Sequence, residues 1–191
     1  MKEMSKTYRV NEIFLSLQGE GYHTGRAAVF VRLSGCNLHC DFCDTDFSQY
    51  HDMTADEIAQ QVEQLSTYPQ TLIVLTGGEP SLQIDEALIE VLHRGGKKIC
   101  IETNGTHQLP AGIDWVTCSP KEGSQVTLRH TNELKVVFTG QDVEKWPRQI
   151  NADYLFLQPC SCRNTDEVVE YILAHPQWQL SLQTHKYLNL R

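Results

Sequence analysis

Cys36, Cys40 and Cys43 stand in the spacing C-x3-C-x2-C. Thiolates are soft ligands, suited to iron–sulfur clusters or zinc. Their number is the informative part. A structural zinc site takes four closed ligands, and an electron-carrying cubane takes four cysteines. Three ligands leave one metal position open, which suits a site that binds a molecule and does chemistry on it. A distant fourth ligand, Cys118 or His23, would make a zinc loop instead. Gly77-Gly78-Glu79-Pro80 forms a second polar motif. Glycines let backbone approach a ligand closely, and Glu79 can pair with an ammonium group. The same four residues also suit a tight turn with proline at an early helical position. Arg32 is the one charge in the apolar run 27–33, directly before the cysteines. It suits a bound carboxylate, or an edge residue reaching solvent.

The elements that must position these groups follow from periodicity. Residues 10–17 alternate as a strand through Ile13, Leu15 and Leu17 and end in Gln18-Gly19-Glu20-Gly21. Short apolar runs of buried-strand type follow at 27–33, 71–75, 98–101, 113–117, 133–138, 154–157 and 180–182. Thr54 and Glu57 make a capping box ahead of Ile58, Val62 and Leu65 at helical spacing. A second helix carries Ile84, Leu88, Val91 and Leu92, and a third Val168, Val169, Ile172 and Leu173. Strands alternating with helices imply a parallel sheet, with ligands bound where the strands' carboxyl ends release their loops. Two connections, 103–112 and 118–132, show no helical period. The expected fold is α/β, a truncated partial (β/α) barrel with about six parallel strands and three main helices, in one domain over 1–191.

Composition narrows the function. Of 191 residues, 40% are hydrophobic and 21% charged, as in an ordinary globular protein, and the net charge is −8. The longest basic run is the pair Lys97-Lys98, so nucleic-acid binding has no electrostatic footprint. No apolar run approaches the ~20 residues that span a bilayer, and residues 1–7 lack a signal-peptide core. Seven cysteines, an odd number, do not form a secreted disulfide framework. A reducing cytoplasm is the expected compartment.

The three-cysteine loop with Phe42 before its last cysteine, followed by the Gly77–Pro80 motif, resembles the radical S-adenosylmethionine (SAM) superfamily. Within it the chain resembles the 7-carboxy-7-deazaguanine synthase family. The resemblance rests on Leu17-Gln18-Gly19-Glu20-Gly21, Phe30 to Cys36, Cys43-Asp44-Thr45, Glu102 to Thr106, Ser119-Pro120-Lys121, Gln158-Pro159 and Gln183 to Lys186. It spans nearly the whole chain. It implies a radical SAM lyase that contracts 6-carboxy-5,6,7,8-tetrahydropterin to 7-carboxy-7-deazaguanine with loss of ammonia, for queuosine and other deazapurines. It also implies a usually dimeric barrel and an external electron donor such as flavodoxin. Cys36, Cys40 and Cys43 would hold a [4Fe–4S] cluster. Gly78, Glu79, Ser119, Pro120, Lys121 and Gln158, with Phe42 and Asp44, would hold SAM. Leu17, Gln18, Gly19, Arg32 and Thr76 would hold the pterin, and Thr45 a Mg2+ ion shared with it.

Other residues point less clearly to chemistry. Cys160 and Cys162 are expected to be ordinary thiols, Cys100 and Cys118 small core residues, and His39 solvent-facing. Trp115, Trp146 and Trp178 read as core or dimer-contact aromatics. His185 and Lys186 follow the last strand and are better placed for the site. Two competing functions remain open. A glycyl-radical activating enzyme would use the same cluster loop on a protein substrate. An iron–sulfur electron carrier or a zinc-stabilised module would need a fourth protein ligand.

Overall fold

A computed structural model describes residues 6–43, 45–46 and 48–191. Nine strands form one sheet in the order β3-β1-β2-β4-β5-β6-β7-β8-β9. They are β1 (Thr7–Leu17), β2 (Ala27–Leu33), β3 (His51–Thr54), β4 (Leu72–Gly77), β5 (Ile99–Thr103), β6 (Trp115–Cys118), β7 (His130–Phe138), β8 (Asn151–Pro159) and β9 (Gln179–Leu180). From β2 through β9 every neighbouring pair is parallel. The parallel portion therefore has seven strands, one more than expected. β1 pairs antiparallel with β2 and with β3, extending one edge. β3 and β9 lie at the two ends of the strand order, so the barrel is partial and open.

Three main helices are present, as expected: α1 (Ala55–Leu65), α2 (Glu86–His93) and α3 (Thr165–Ala174). A short α4 (Thr184–Tyr187) follows. The connections β5–β6 and β6–β7 carry no helix. The Thr54 hydroxyl accepts from Glu57 N–H, and the Glu57 carboxylate accepts from Thr54 N–H at 2.7 Å, which completes the capping box. Thr54→Ala is expected to cost about 1 kcal/mol. In a chain of this size that lowers the melting temperature by roughly 2–4 °C, measurable by calorimetry.

Strand alternation separates the two faces of the sheet. Val29, Val31, Leu33, Ile73, Leu75, Ile99 and Ile101 point to one face, where Ile58 and Val62 of α1 and Leu88, Ile89 and Leu92 of α2 cover them. Leu134, Val136 and Leu157 continue that layer against Val168, Trp146 and Trp178. Arg32, Thr76, Glu102, Lys135 and Gln158 occupy the opposite face, near the strands' carboxyl ends. Arg32 and Thr76 are register partners. Apolar residues Ala28, Leu72, Val74 and Cys100 fill the same face one layer lower. Below the polar layer, Tyr22, His23, Trp115 and Tyr154 stack on one another with centroids 4.6–5.9 Å apart. Trp146 and Trp178 are core residues, as expected, while Trp115 belongs to this stack.

Candidate active site

A cavity of about 570 Å³ opens at the carboxyl ends of the parallel strands. That lies within the usual small-molecule range of roughly 300–1,000 Å³. One wall is the cysteine loop. Cys43 N–H donates to Cys40 O at 3.0 Å, closing a turn, and Leu38 N–H points at Cys36 Sγ at 3.4 Å. Asn37 binds the loop after β5 twice, donating to Thr106 Oγ1 at 2.9 Å and accepting from Asn104 Nδ2 at 3.0 Å.

The loop is also seated on the Gly77–Pro80 turn. Gly78 N–H donates to Leu33 O at 3.0 Å, and Glu79 N–H donates to Gly35 O at 2.8 Å. A Cβ on Gly78 would lie 2.0 Å from Gly35 O. On Gly77, at φ +130°, it would lie 2.0 Å from Leu33 O. The glycines therefore make room for the backbone entering the cysteine loop, a packing need that the motif alone did not reveal. Glu79 is buried. Its carboxylate accepts from Ser81 N–H (3.0 Å), Thr103 Oγ1–H (2.7 Å) and Asn104 N–H (2.7 Å). A carboxylate has about four acceptor positions, so one remains for an ammonium group.

The cavity floor is a network of charges. Lys135, almost wholly buried, donates to Glu20 at 2.5 Å and to Glu102 at 2.9 Å. Gln183 Nε2 donates to Glu20 Oε1 at 2.8 Å, and Gln18 Nε2 to Glu102 Oε1 at 3.1 Å. Burial works against the Glu20 carboxylate, but Lys135 and the Gln183 amide outweigh it and hold its pKa at about 2. Burial and the neighbouring Glu20 raise the pKa of Glu102 against the pull of Lys135. Burial also disfavours the Lys135 cation, but Glu102, Glu20 and Glu133 raise its pKa. Lys121 Nζ donates to Ser119 O and Oγ at 2.9 and 2.7 Å, and burial lowers its pKa. Burial raises the pKa of Cys40, with Lys121 pulling the other way.

Glu133 lies beneath this floor, 2% exposed. Its Oε2 accepts from Tyr22 N–H at 3.0 Å, while Oε1 is buried without a partner. Burial, with Glu102 adding to it, pushes the carboxyl up to about 7 despite Lys135. Because the folded-state pKa is raised from 4.5, the stability it contributes is complete below about pH 4.5 and lost as pH rises through 7. Glu133→Gln is expected to melt above the native chain at pH 8, with the difference closing towards pH 5. Parallel melting curves across that range would contradict it.

The cavity wall brings together Leu17, Gln18, Gly19, Arg32, Cys36, Cys40, Phe42, Cys43, Thr45, Thr76, Gly78, Glu79, Ser119, Lys121 and Gln158. Pro120 is buried and does not line it. Asp44 lies outside the described residues. Arg32 Nε donates to Glu12 at 2.9 Å, and Nη1 is 3.4 Å from Thr45 Oγ1, so Arg32 faces the cavity and is not a snorkelling edge residue. His39 is exposed, as expected, yet it lines the opening, as do Cys160 and His185. Gly19 has no room for a Cβ, which would meet the His185 ring at 2.2 Å. Cys100 and Cys118 are core residues whose thiols burial pushes up to about 12. Neither Cys118 nor His23 lines the cavity, so neither is placed to be a fourth ligand.

Sequence reasoning passed over Lys135, took Glu20 and Glu102 only as parts of motifs, and placed the segment 187–191 near the pocket only by its closeness to the last motif, with no role for Arg191, which lines the cavity. A lysine alternating with Glu133 inside a buried strand was the available signal for Lys135. Among the described residues, no group of three or more His, Cys, Asp or Glu side chains converges on a single-ion position. A cubane makes a different demand, because each thiolate takes its own iron corner. The thiols of Cys36, Cys40 and Cys43 line the cavity with Lys121 beside Cys40, and Cys160, from outside that loop, lines it too; the three loop thiols fit a cluster that takes three protein ligands.

The radical SAM superfamily model matches residues 30–139. The chain is 56% identical over 183 residues to the 7-carboxy-7-deazaguanine synthase of Bacteroides thetaiotaomicron, covering 96% of this chain and 98% of that protein. It is 42% identical to the Bradyrhizobium diazoefficiens protein of the same name, covering 97% and 100%. The crystal structure of QueE from Escherichia coli superposes with a TM-score of 0.76 at 27% identity, covering 92% of this chain and 93% of that one. With such identity along its whole length, the chain belongs to the 7-carboxy-7-deazaguanine synthase family of radical SAM enzymes.

Proposed function

We propose that this chain converts 6-carboxy-5,6,7,8-tetrahydropterin to 7-carboxy-7-deazaguanine with loss of ammonia, as a single radical SAM domain over residues 1–191. One observation carries the reading. A single cavity joins the three cysteines, a lysine–serine corner and a polar floor rich in amide and carboxylate groups.

Cys36, Cys40 and Cys43 would hold a [4Fe–4S] cluster. Gly78, Glu79, Ser119, Lys121 and Gln158, with Phe42 and Asp44, would hold SAM, and Pro120 would stiffen the Ser119–Lys121 turn from behind. When bound, the cluster and SAM would supply the radical chemistry. The chain's own residues bind and orient. Leu17, Gln18, Gly19 and Thr76 would grip the pterin, and Glu102 offers an acceptor to its ring N–H groups. Arg32 meets its carboxylate with a planar fork of donors. Lys135 holds Glu20 and Glu102 in place, so the floor is organised before the ligand arrives. Walls from Phe14, Phe30 and Leu17 help keep water from the reacting ring.

Thr45 would ligate Mg2+ through its hydroxyl, a hard oxygen donor, with the substrate and water completing the shell. The proposal extends to an external electron donor such as flavodoxin, a homodimer and a cytoplasmic setting. Among the described residues, no helix is long and apolar enough to cross a membrane.

Reconstituted protein given SAM, a low-potential reductant, Mg2+ and the pterin should release ammonia in proportion to pterin consumed. SAM cleavage without ammonia release would sink the pterin reading and favour a glycyl-radical activating enzyme. A reduced-cluster spectrum unchanged by SAM would favour an electron carrier.

A further inference from the structure

Arg32 does not stand alone at its end of the cavity. Glu12 on β1 is its register partner across the β1–β2 pair. Glu12 Oε1 accepts from Arg32 Nε at 2.9 Å, and Oε2 accepts from Arg191 Nη2. The Phe14 ring, next on that face of β1, carries both guanidinium groups, with centroid distances of 5.9 Å for Arg32 and 5.1 Å for Arg191. Ser16, two residues further, donates to Arg191 O at 3.0 Å. Alternate residues of one strand thus hold two arginines side by side. Arg32, Phe14 and Arg191 line the cavity, whereas Glu12 does not.

Glu12 occupies Nε of Arg32 and leaves Nη1 turned towards Thr45, with both residues on the cavity wall. An arginine held in one rotamer before a ligand arrives loses less freedom on binding than a loose one. The stacking on Phe14 adds to that constraint. Arg191 is more exposed, so water weakens its pull and its share is the smaller.

We propose that Glu12 is a positioning residue that fixes Arg32 and Arg191 as a two-guanidinium receptor for the substrate's carboxylate. The pair would set the preference for a carboxylated pterin over a plain one. The inference rests on the proposed pterin site.

Equilibrium binding of 6-carboxypterin and of pterin, both fluorescent and unreactive, to the reconstituted enzyme with SAM and Mg2+ tests it. Glu12→Ala is expected to weaken 6-carboxypterin roughly tenfold, because the arginines must then be ordered when the ligand binds, and to leave pterin unchanged. Glu12→Gln keeps an oxygen for Arg32 Nε and should recover much of that loss. Arg191→Ala should weaken only 6-carboxypterin, by a smaller factor. Equal weakening of both ligands would show a merely structural role and overturn the proposal. So would tighter 6-carboxypterin binding in Glu12→Ala, which would mean that Glu12 only competes with the ligand for the guanidinium. Native enzyme with no preference for 6-carboxypterin would instead overturn the pterin reading beneath it.

Discussion

Cys40→Ala is expected to abolish turnover and cluster incorporation together, while the fold survives. Cys40 sits in a loop held by its own turn and by Asn37, not by Cys40's thiol. Its removal would take one of three thiolates from the proposed cluster, and Cys160 is the remaining cysteine among the lining residues. Changing a residue that merely supports a metal ligand typically costs 10–100-fold, so loss of a ligand should exceed about 100-fold. Iron content, the cluster absorbance and product formation should fall together, with unchanged far-ultraviolet circular dichroism. Cys100→Ala should keep all three, because its thiol lies in the lower apolar layer away from the cavity. Full iron loading in Cys40→Ala would remove the cluster assignment.

Lys135→Met is expected to destabilise the fold substantially. The lysine side chain is 4% exposed and, among the described residues, is the one lysine or arginine in ion pairs with both Glu20 and Glu102. Breaking a buried ion pair from one side costs about 3–5 kcal/mol. The lower end applies here, since the two glutamate side chains keep 18% and 21% of their surface exposed. About 3 kcal/mol corresponds to a melting point lower by roughly 6–12 °C. The sign with pH follows from Glu20. Lys135 holds its folded-state pKa down at about 2, so the stabilisation is present above about pH 4.5 and is lost as pH falls towards 2. The gap between native and Lys135→Met melting points should therefore be widest near neutrality and narrow in acid. A gap that stays constant as pH falls from 5 towards 2 would place the cost elsewhere.

The parallel strands were legible because their runs are short, apolar and closed by Gly or Pro turns. The strand at 27–33 has the predicted bounds, and α1 begins at its capping box. β3 was not legible. His51, Asp52, Met53 and Thr54 have no apolar alternation, and they form a strand only because β1 offers an edge. The run expected at 180–182 falls at β9, which is shorter and starts one residue earlier, two exposed residues paired to β8. α4 is a single turn of four residues, too short to leave a periodic signal.

The cysteines, Arg32, Thr76, Ser119, Lys121 and Gln158 could be nominated because each follows or ends a strand, where a parallel sheet places its ligands. The pairing of Lys135 with Glu20, 115 residues away, could not be read from spacing. Nor could Arg191, which reaches Glu12 across 179 positions. Gly78 shows the limit in another way. The motif was visible, but its fit against Gly35 O exists only once β2 and β4 lie side by side.

The central claim is that SAM and the pterin meet in this one cavity. Its most direct test uses 6-carboxytetrahydropterin deuterated at C6, incubated with reconstituted enzyme, unlabelled SAM, reductant and Mg2+. Mass spectrometry of the SAM recovered after turnover should show deuterium, alongside newly formed 7-carboxy-7-deazaguanine. Deazaguanine formed while the SAM pool stays free of deuterium would contradict the account.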